Sequence, residues 1–454
     1  MIATRLASAL RPTAVQRARC GVRTALFNDC HARLSSNTSV PVSSRGPTSL
    51  GLLPQYLVDT GNVEFYDKDS APSGCLQVSI AENRCVAPEL VSKINSVQKG
   101  SAFTPDMIYY QSTSGMESCR LAMSSFMSEI MSASEPLNPE NLVVGAGCNA
   151  MLENLFLTLC EAGDCVLLPS PYYATFSFDL GSRAGVTLLQ TGKEWTSEEL
   201  ARLTAPETYY PSLSDLSAAY DSAPMKPKAL LLTNPHNPLG LCYPRDVLDS
   251  LLSWATERNM HVVSDEIYAG SVHGSGFNSL ADDASSRDNV HVVYALSKDL
   301  CLSGLRVGAL YSSNEEVLAP VRKLNDLCQV SSTTQQLVAG MLGDERWVSE
   351  FTATNLGRIR KRYERVIKVC EGAGVPYLPA DAGLYIWLDL RGWLGEEEEG
   401  EKVLYRRLIS DYGLMMTPGE SMDMRAPGFF RLVFTAVGDE EFELVLERLA
   451  RLRK

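Results

Sequence analysis

The sequence predicts an α/β protein: a large domain built on a mostly parallel, doubly wound sheet, followed by a smaller α+β domain at the C-terminus. Three observations predict it. Between residues 141 and 311, short apolar runs alternate with helical stretches, the order that gives parallel pairing with helices on both faces. After about residue 325 the alternation stops, and long helical patterns joined to a few strands take over. The chemically useful side chains of the first region stand just past its apolar runs, at the edge where open α/β sheets hold ligands.

The first 45 residues differ from the rest. Arg5, Arg11, Arg17, Arg19, Arg23, Arg33 and Arg45 face one acid, Asp29, among many Ala, Ser and Thr. That is the composition of an organelle transit peptide, mitochondrial ahead of plastid, although a disordered tail would share it. Residues 46–100 form an N-terminal segment expected to pack with the small domain. In it, 76–80 alternates as a strand and leads to Ala81-Glu82-Asn83-Arg84, and 88–98 is helical.

The large domain is expected over 101–325. A turn at 109–115 precedes a helix at 116–132; apolar strands follow at 142–144, 165–168, 186–189, 229–232, 261–264, 290–296 and 307–311. Helices are expected at 151–159 and 246–258. The small domain, 326–454, reads as a helix at 350–371, strands at 384–388 and 430–434, and a last helix at 440–452. The acidic run 396–399 reads as a solvated loop.

Composition narrows the function classes. Hydrophobic content of 45% and charged content of 21% are those of a soluble globular protein. A net charge of −13 argues against a nucleic-acid surface, and no apolar run approaches the ~18 residues a bilayer span needs. Twelve cysteines without CxxC pairs or a secretory signal read as reduced thiols. Five histidines without HExxH or a Cys/His cluster make a metal site unexpected.

The organising stretch is Tyr294-Ala-Leu-Ser-Lys298 through Arg306. A lysine at the mouth of a buried strand sits in partly apolar surroundings that favour its neutral, nucleophilic amine. Arg306, beyond a Ser-Gly turn, offers a fork of N–H donors suited to a phosphate. A Schiff-base lysine beside a phosphate-holding arginine suggests pyridoxal phosphate. Other strand ends carry matching groups. Gly147-Cys148-Asn149 opens a helix and so offers anion-binding amides. Tyr173 could stack on a flat heterocycle, and the two Asn-Pro pairs around His236 fix the Asn237 amide as a donor, with His236 itself a turn residue. Asp265 at a buried strand end needs a cation, such as a protonated pyridine nitrogen, and Tyr268 could donate to the same ligand. Singly, each has an ordinary reading: a solvated loop, a plain strand-to-helix turn, a core tyrosine, a helix-start acid. Together they suit one flat, phosphorylated, aldehyde-bearing ring.

The ordered set Ala81-Glu82-Asn83, Pro169-Ser-Pro-Tyr-Tyr173, Asn234-Pro-His-Asn-Pro-Leu-Gly240, Asp265-Glu-Ile-Tyr268 and Leu296-Ser-Lys-Asp299 resembles the class I/II (fold type I) aminotransferase superfamily of pyridoxal-phosphate enzymes, from about residue 74 to about 439. Within it, the chain looks most like 1-aminocyclopropane-1-carboxylate (ACC) synthases and synthase-like aminotransferases. The resemblance implies that Lys298 carries the cofactor, Asp265 pairs with its ring nitrogen, Tyr268 and Asn237 bond its 3-oxygen, and Tyr173 stacks on it. It also implies a phosphate site from Gly147, Cys148, Asn149, Ser297 and Arg306. Arg431, in Pro427-Gly-Phe-Phe-Arg-Leu-Val-Phe434, becomes the clamp for a substrate carboxylate, with Glu82 and Tyr110 also on the substrate side.

Two positions depart from the pattern. Ala295 stands where the family commonly has a phosphate-binding serine, and Thr113 stands where ACC synthases have a tyrosine that reaches the neighbouring subunit, with Tyr110 three residues earlier. The implied activity is transfer of an amino group from an α-amino acid to a 2-oxo acid. The alternatives are an ACC synthase, or related γ/β-eliminating lyase acting on S-adenosylmethionine, and a non-catalytic pyridoxal-phosphate-binding protein, which would be expected to lack Lys298 or Arg431. The resemblance further implies a homodimer. No obvious second arginine awaits a dicarboxylate side chain.

Overall fold

The computed structural model describes residues 43–453 apart from Lys193, Glu194, Thr196, Ser275 and Glu398, so the arginine-rich leader lies outside the described residues save its last three. The short β1 (Leu76–Gln77) comes first. Then come β2 (Leu142–Gly145), β3 (Cys165–Leu168), β4 (Thr187–Gln190), β5 (Ala229–Thr233), β6 (His261–Asp265), β7 (Val290–Ala295) and β8 (Gly308–Tyr311). The last seven form one sheet in the order β2-β8-β7-β6-β5-β3-β4. β2, β3, β5, β7 and β8 are buried along their whole length, the pattern of strands covered on both faces by helices.

Every pairing from β4 through β3, β5 and β6 to β7 is parallel, whereas β8 runs antiparallel to both β7 and β2. That reversal places the start of β8 at the carboxyl edge of the sheet. Gly308 pairs with Ala295 on one side and Gly145 on the other. A β-carbon at Gly308 would lie 2.4 Å from the Gly147 carbonyl carbon, so only glycine permits this approach.

The rest of the chain builds β9 (Tyr377–Leu378), β10 (Tyr385–Asp389), β11 (Leu414–Met415), β12 (Thr417–Pro418) and β13 (Phe429–Val433). Four of them form an antiparallel sheet, β12-β13-β10-β9, while β1 pairs in parallel with β11 through Leu76 and Leu414. Tyr56, Leu57, Leu76 and Val78 share an apolar core with Trp387, Phe429 and Phe434, whereas Val86 and Leu90 join the core of the large sheet. The helix Glu345–Ala373 starts at an Asp344 cap and ends at Gly374 in the left-handed region. Its Val348 and Phe351 pack into the large-sheet core; its Ile359, Val366 and Cys370 pack into the other. This helix therefore bridges two of the apolar cores, while a third packs against the large sheet through Val143, Val166, Val263 and Val293.

Several expected bounds shift. Residues 78–80 are not strand: Val78 still donates to the Met415 carbonyl of β11 at 3.0 Å, but its own carbonyl accepts from the Val433 amide of β13 and the Ser79 carbonyl from the Thr417 hydroxyl, so the β11 ladder goes no further. β7 stops at Ala295, and Leu296–Asp299 turns into a short helix, so Lys298 stands on a helical turn just past the strand. Ten cysteines among the described residues are free, and among those residues no His/Cys/Asp/Glu group suited to a metal and no helix long and apolar enough to cross a membrane is found.

Candidate active site

At the end of β7 the helical turn aims the partly buried Lys298 at the carboxyl edge of the sheet, where its amine donates to the Ala81 carbonyl at 2.5 Å. Desolvation lowers its pKa to about 8, against the opposing pull of the Glu82 charge; the Arg431 and Arg306 cations lower it further. A neutral amine is therefore available near physiological pH. The turn is anchored by buried Asp299, whose carboxylate accepts from the Gly270 amide at 2.7 Å, the Ser271 hydroxyl at 2.5 Å and the Tyr294 hydroxyl at 3.0 Å.

β6 delivers two adjacent acids with different duties. Glu266 is held by the Ser264 hydroxyl at 2.9 Å, the Leu280 amide at 2.8 Å and the Ser279 hydroxyl at 2.5 Å. Asp265, also buried, accepts among the described residues only from the Ile267 amide at 3.2 Å and the Cys148 thiol at 3.5 Å, neither of them a cation. Burial pushes its pKa up to about 6, as expected of a carboxylate taken out of water without a cation paired to it. Tyr268 is buried one turn on, its ring edge-to-face with Tyr385 at 5.3 Å, and burial pushes its phenol pKa up despite the nearby Arg431 charge.

β2 and β8 build the cradle. Gly147, at φ 94°, caps the helix Cys148–Leu159, whose first amides lack intrahelical partners. A β-carbon at Gly147 would lie 2.5 Å from Arg306 Nη2. Arg306 itself takes the left-handed conformation, φ 55°, and lies exposed across the helix start, with long bonds from Nη1 to the Ser303 carbonyl (3.2 Å) and from Nη2 to the Ala146 carbonyl (3.4 Å). Cys148 and Ser297 are buried beside it. Asn149 gives its side-chain amide to buried Asp179 at 2.8 Å, so only its backbone N–H faces the role expected of it.

On the substrate side Arg431 is buried to 1% exposure. Its Nη1 donates to Asn237 Oδ1 at 2.7 Å, and its Nη2 donates to the Ser79 carbonyl at 2.7 Å and Thr417 Oγ1 at 3.2 Å. Its Nε has no partner, and no carboxylate pairs with this cation among the described residues. A buried guanidinium of that kind calls for an anion. Tyr173, half-buried, stands edge-on to Phe176 at 5.3 Å. Glu82 accepts from the Ser303 hydroxyl at 3.4 Å and meets Arg84 at 3.5 Å.

Two expected residues stand apart. Tyr110 is fully exposed and does not enter the site of its own chain. Thr113 gives its carbonyl to Asn325 Nδ2 at 2.5 Å, and nothing ties its hydroxyl to the site. His236 is indeed a turn residue, buried edge-on to Tyr243 at 5.8 Å, with burial lowering its pKa to about 3. Sequence reasoning missed Tyr56. Its buried phenol feels the Arg431 charge and the Thr417 hydroxyl, although it lies in the N-terminal segment where no periodicity singles it out. Behind Tyr56 opens a cavity of about 790 Å³ lined by Leu52, Pro54, Ala174, Ser177, Tyr405 and Pro418.

A buried acid without a cation, a cradle of helix-start amides, a buried arginine with a free Nε and a lowered lysine all converge on one edge. Pyridoxal phosphate fits these residues: its ring nitrogen answers Asp265, its phosphate the Gly147 cradle, and its aldehyde Lys298.

The comparisons agree. The family model described as "Aminotransferase class I and II" matches residues 81–449. The chain is 34% identical to 1-aminocyclopropane-1-carboxylate synthase 7 of Arabidopsis thaliana, covering 85% of this chain and 88% of that one. It is 35% identical to the synthase of Nicotiana tabacum, covering 85% and 81%. Among solved structures, an aminotransferase from Staphylococcus aureus superposes with a TM-score of 0.73 at 18% identity, covering 90% and 99%. A Thermus thermophilus aspartate aminotransferase mutant gives 0.71 at 21% identity, covering 91% and 100%. These show the fold type I architecture.

Proposed function

The chain belongs to the class I and II aminotransferase family and depends on pyridoxal phosphate, and from that premise we propose that it is a lyase of the ACC synthase type, converting S-adenosylmethionine to ACC. The observation that carries this reading is the 34–35% identity to curated ACC synthases across 85% of the chain. A local feature supports it: Glu82 follows Ala81, whose carbonyl accepts from Lys298, and a carboxylate on that segment suits a substrate with a cationic, sulfonium-bearing side chain.

When bound, the cofactor supplies an electron sink for the substrate's α-carbon. The chain's residues do the rest. Arg431 holds the α-carboxylate through its free Nε, while Asn237, Ser79 and Thr417 fix the plane of its guanidinium. That grip turns the α-hydrogen toward Lys298, whose amine removes it as general base. Asp265 would pair with the ring nitrogen and favour its protonated form, Tyr268 and the Asn237 amide would donate to the ring 3-oxygen, and Tyr173 would stack on the ring. Gly147, Cys148, Asn149, Ser297 and Arg306 would hold the phosphate. In the substrate a Cα–Cγ bond forms as the Cγ–S bond breaks. The electron pair leaves with sulfur as the neutral thioether methylthioadenosine, and the α-proton passes through Lys298 to solvent.

Transamination is the second reading, favoured by Thr113 in place of the synthases' tyrosine. The chains are expected to pair as a homodimer, with fully exposed Tyr110 offered to the other subunit's site. One assay separates the readings: purified enzyme with S-adenosylmethionine, and separately with a panel of amino acids and 2-oxoglutarate. ACC and methylthioadenosine released without any oxo acid is the expected result. Oxo-acid-dependent amino transfer without ACC would overturn the lyase in favour of the aminotransferase.

A further inference from the structure

Asn355 lies on the long helix Glu345–Ala373, between the residues that pack into one core and those that pack into the other, and is 2% exposed. Its Oδ1 accepts from Asn83 Nδ2 at 2.8 Å, and its Nδ2 donates to the Asp299 carbonyl at 2.9 Å. The orientation of both amides is determined. The Cys85 backbone N–H donates to Asn83 Oδ1 at 3.0 Å, so the Asn83 –NH₂ must face Asn355, and the Asn355 oxygen must face back. The Asn355 –NH₂ is then left for a carbonyl, which Asp299 supplies.

The path closes on itself. Asp299 follows Lys298 in the chain; the Lys298 amine donates to the Ala81 carbonyl; Ala81 is two residues from Asn83; and Asn83 returns to Asn355. Asn83, Asn355 and Asp299 are all buried, so none of these bonds trades readily with water. Asp299 extends the circuit through its carboxylate to Gly270 and Ser271, just past Tyr268.

We propose that Asn355 is a positioning residue for Lys298, fixing the lysine turn against the Ala81–Asn83 segment so that the two hold one geometry. It touches neither cofactor nor substrate. Its part is to keep the Ala81 carbonyl within reach of the amine each time the amine is released, so that the amine stays oriented for proton transfer. A misplacement of about 1 Å at such a group is enough to cost roughly 100-fold in rate. The inference rests only on Lys298 carrying the cofactor and is indifferent to lyase or transferase chemistry. Its main test is therefore run without substrate.

The experiment is a pH titration of the absorbance of the lysine-bound cofactor in holoenzyme, for wild type, Asn355→Asp, Asn355→Ala and Asn83→Ala, with melting temperatures alongside. Each variant is expected to move the titration midpoint by about half a pH unit or more, and to lower kcat about tenfold with a smaller change in KM. The double variant Asn83→Ala/Asn355→Ala should shift the midpoint no further than either single one, because both cut the same link. A lower melting temperature with unchanged midpoint and kcat would reduce Asn355 to a structural amide and overturn the proposal. So would additive midpoint shifts. Should the Asn355 variants fail to fold, the Asn83→Ala midpoint decides alone. Absence of any lysine-bound cofactor in the wild type would instead refute the cofactor assignment.

Discussion

Arg431 gives one N–H to Asn237 Oδ1 at 2.7 Å and keeps its buried Nε free of any protein partner. With Nη1 and Nη2 both held by protein acceptors, the guanidinium plane is fixed and its unpartnered Nε is left to meet a carboxylate. Arg431→Lys keeps the charge and loses the fork. About 1.5–3 kcal/mol of charge-assisted bonding goes with it, so KM for the amino-acid substrate should rise roughly 10- to 100-fold with cofactor binding intact. Steady-state kinetics beside a cofactor titration check this; an unchanged KM would remove Arg431 from the substrate site.

Lys298 carries a pH signature. Burial sets its pKa at about 8 instead of the usual 10.5, so the nucleophilic neutral amine is present above about 8 and lost below it. Capture of pyridoxal phosphate by apo-protein should accelerate with rising pH and level off above pH 8, where an ordinary lysine would keep gaining to beyond 10. Lys298→Ala should leave no adduct that borohydride can fix.

Asp265 ties stability to function with opposite sign. Its folded pKa, raised to about 6, lies above its ordinary 3.8. Between those values the folded chain keeps a proton that the unfolded chain has lost, so the apo-protein loses stability as pH rises through that window and does not regain it above. Asp265→Asn should therefore stabilise apo-protein at pH 7.5 by on the order of 2–3 kcal/mol, and little at pH 4. The same change should lower kcat at least roughly 100-fold, since the ring nitrogen loses its counter-charge. Melting curves at the two pH values and a rate measurement test both halves.

Ala295 is buried at the last position of β7, directly beside the Lys298 turn. Ala295→Ser adds a hydroxyl where the phosphate would accept it, a bond of about 0.5–1.5 kcal/mol. Cofactor dissociation should slow roughly 3- to 10-fold. Without cofactor the same hydroxyl is buried and unpaired, so apo-protein should melt lower. A faster loss of cofactor from the variant would place the phosphate elsewhere.

The sheet was legible because its strands are short apolar runs, several of them stopped by Gly, Pro or Asx residues, and Lys298, Asp265 and Asn237 stand just past such runs. Tyr56 and Asn355 were not legible, for different reasons. Tyr56 reaches Arg431 through a segment more than 370 positions away in the chain, whose own pattern marks no site. Asn355 sits in a helix where an isolated amide on a mostly polar stretch reads as surface, until folding buries it against Asp299. Ends of strands were misjudged where tertiary bonds compete with the ladder, as at Val78 and Ser79.

The antiparallel β8 has a consequence for the order in which the protein can be made. β2 borders no strand of its sheet except β8, and its Gly145 waits for Gly308. On a ribosome delivering the chain from its N-terminus, the Gly147 cradle has no sheet beneath it until more than 160 further residues have emerged. Arg431 arrives later still. Cofactor capture is thus a near-final event of biosynthesis, and apo-protein with five buried acids of raised pKa among the described residues, Asp179, Asp265, Glu266, Asp299 and Glu401, is the species that has to survive until then.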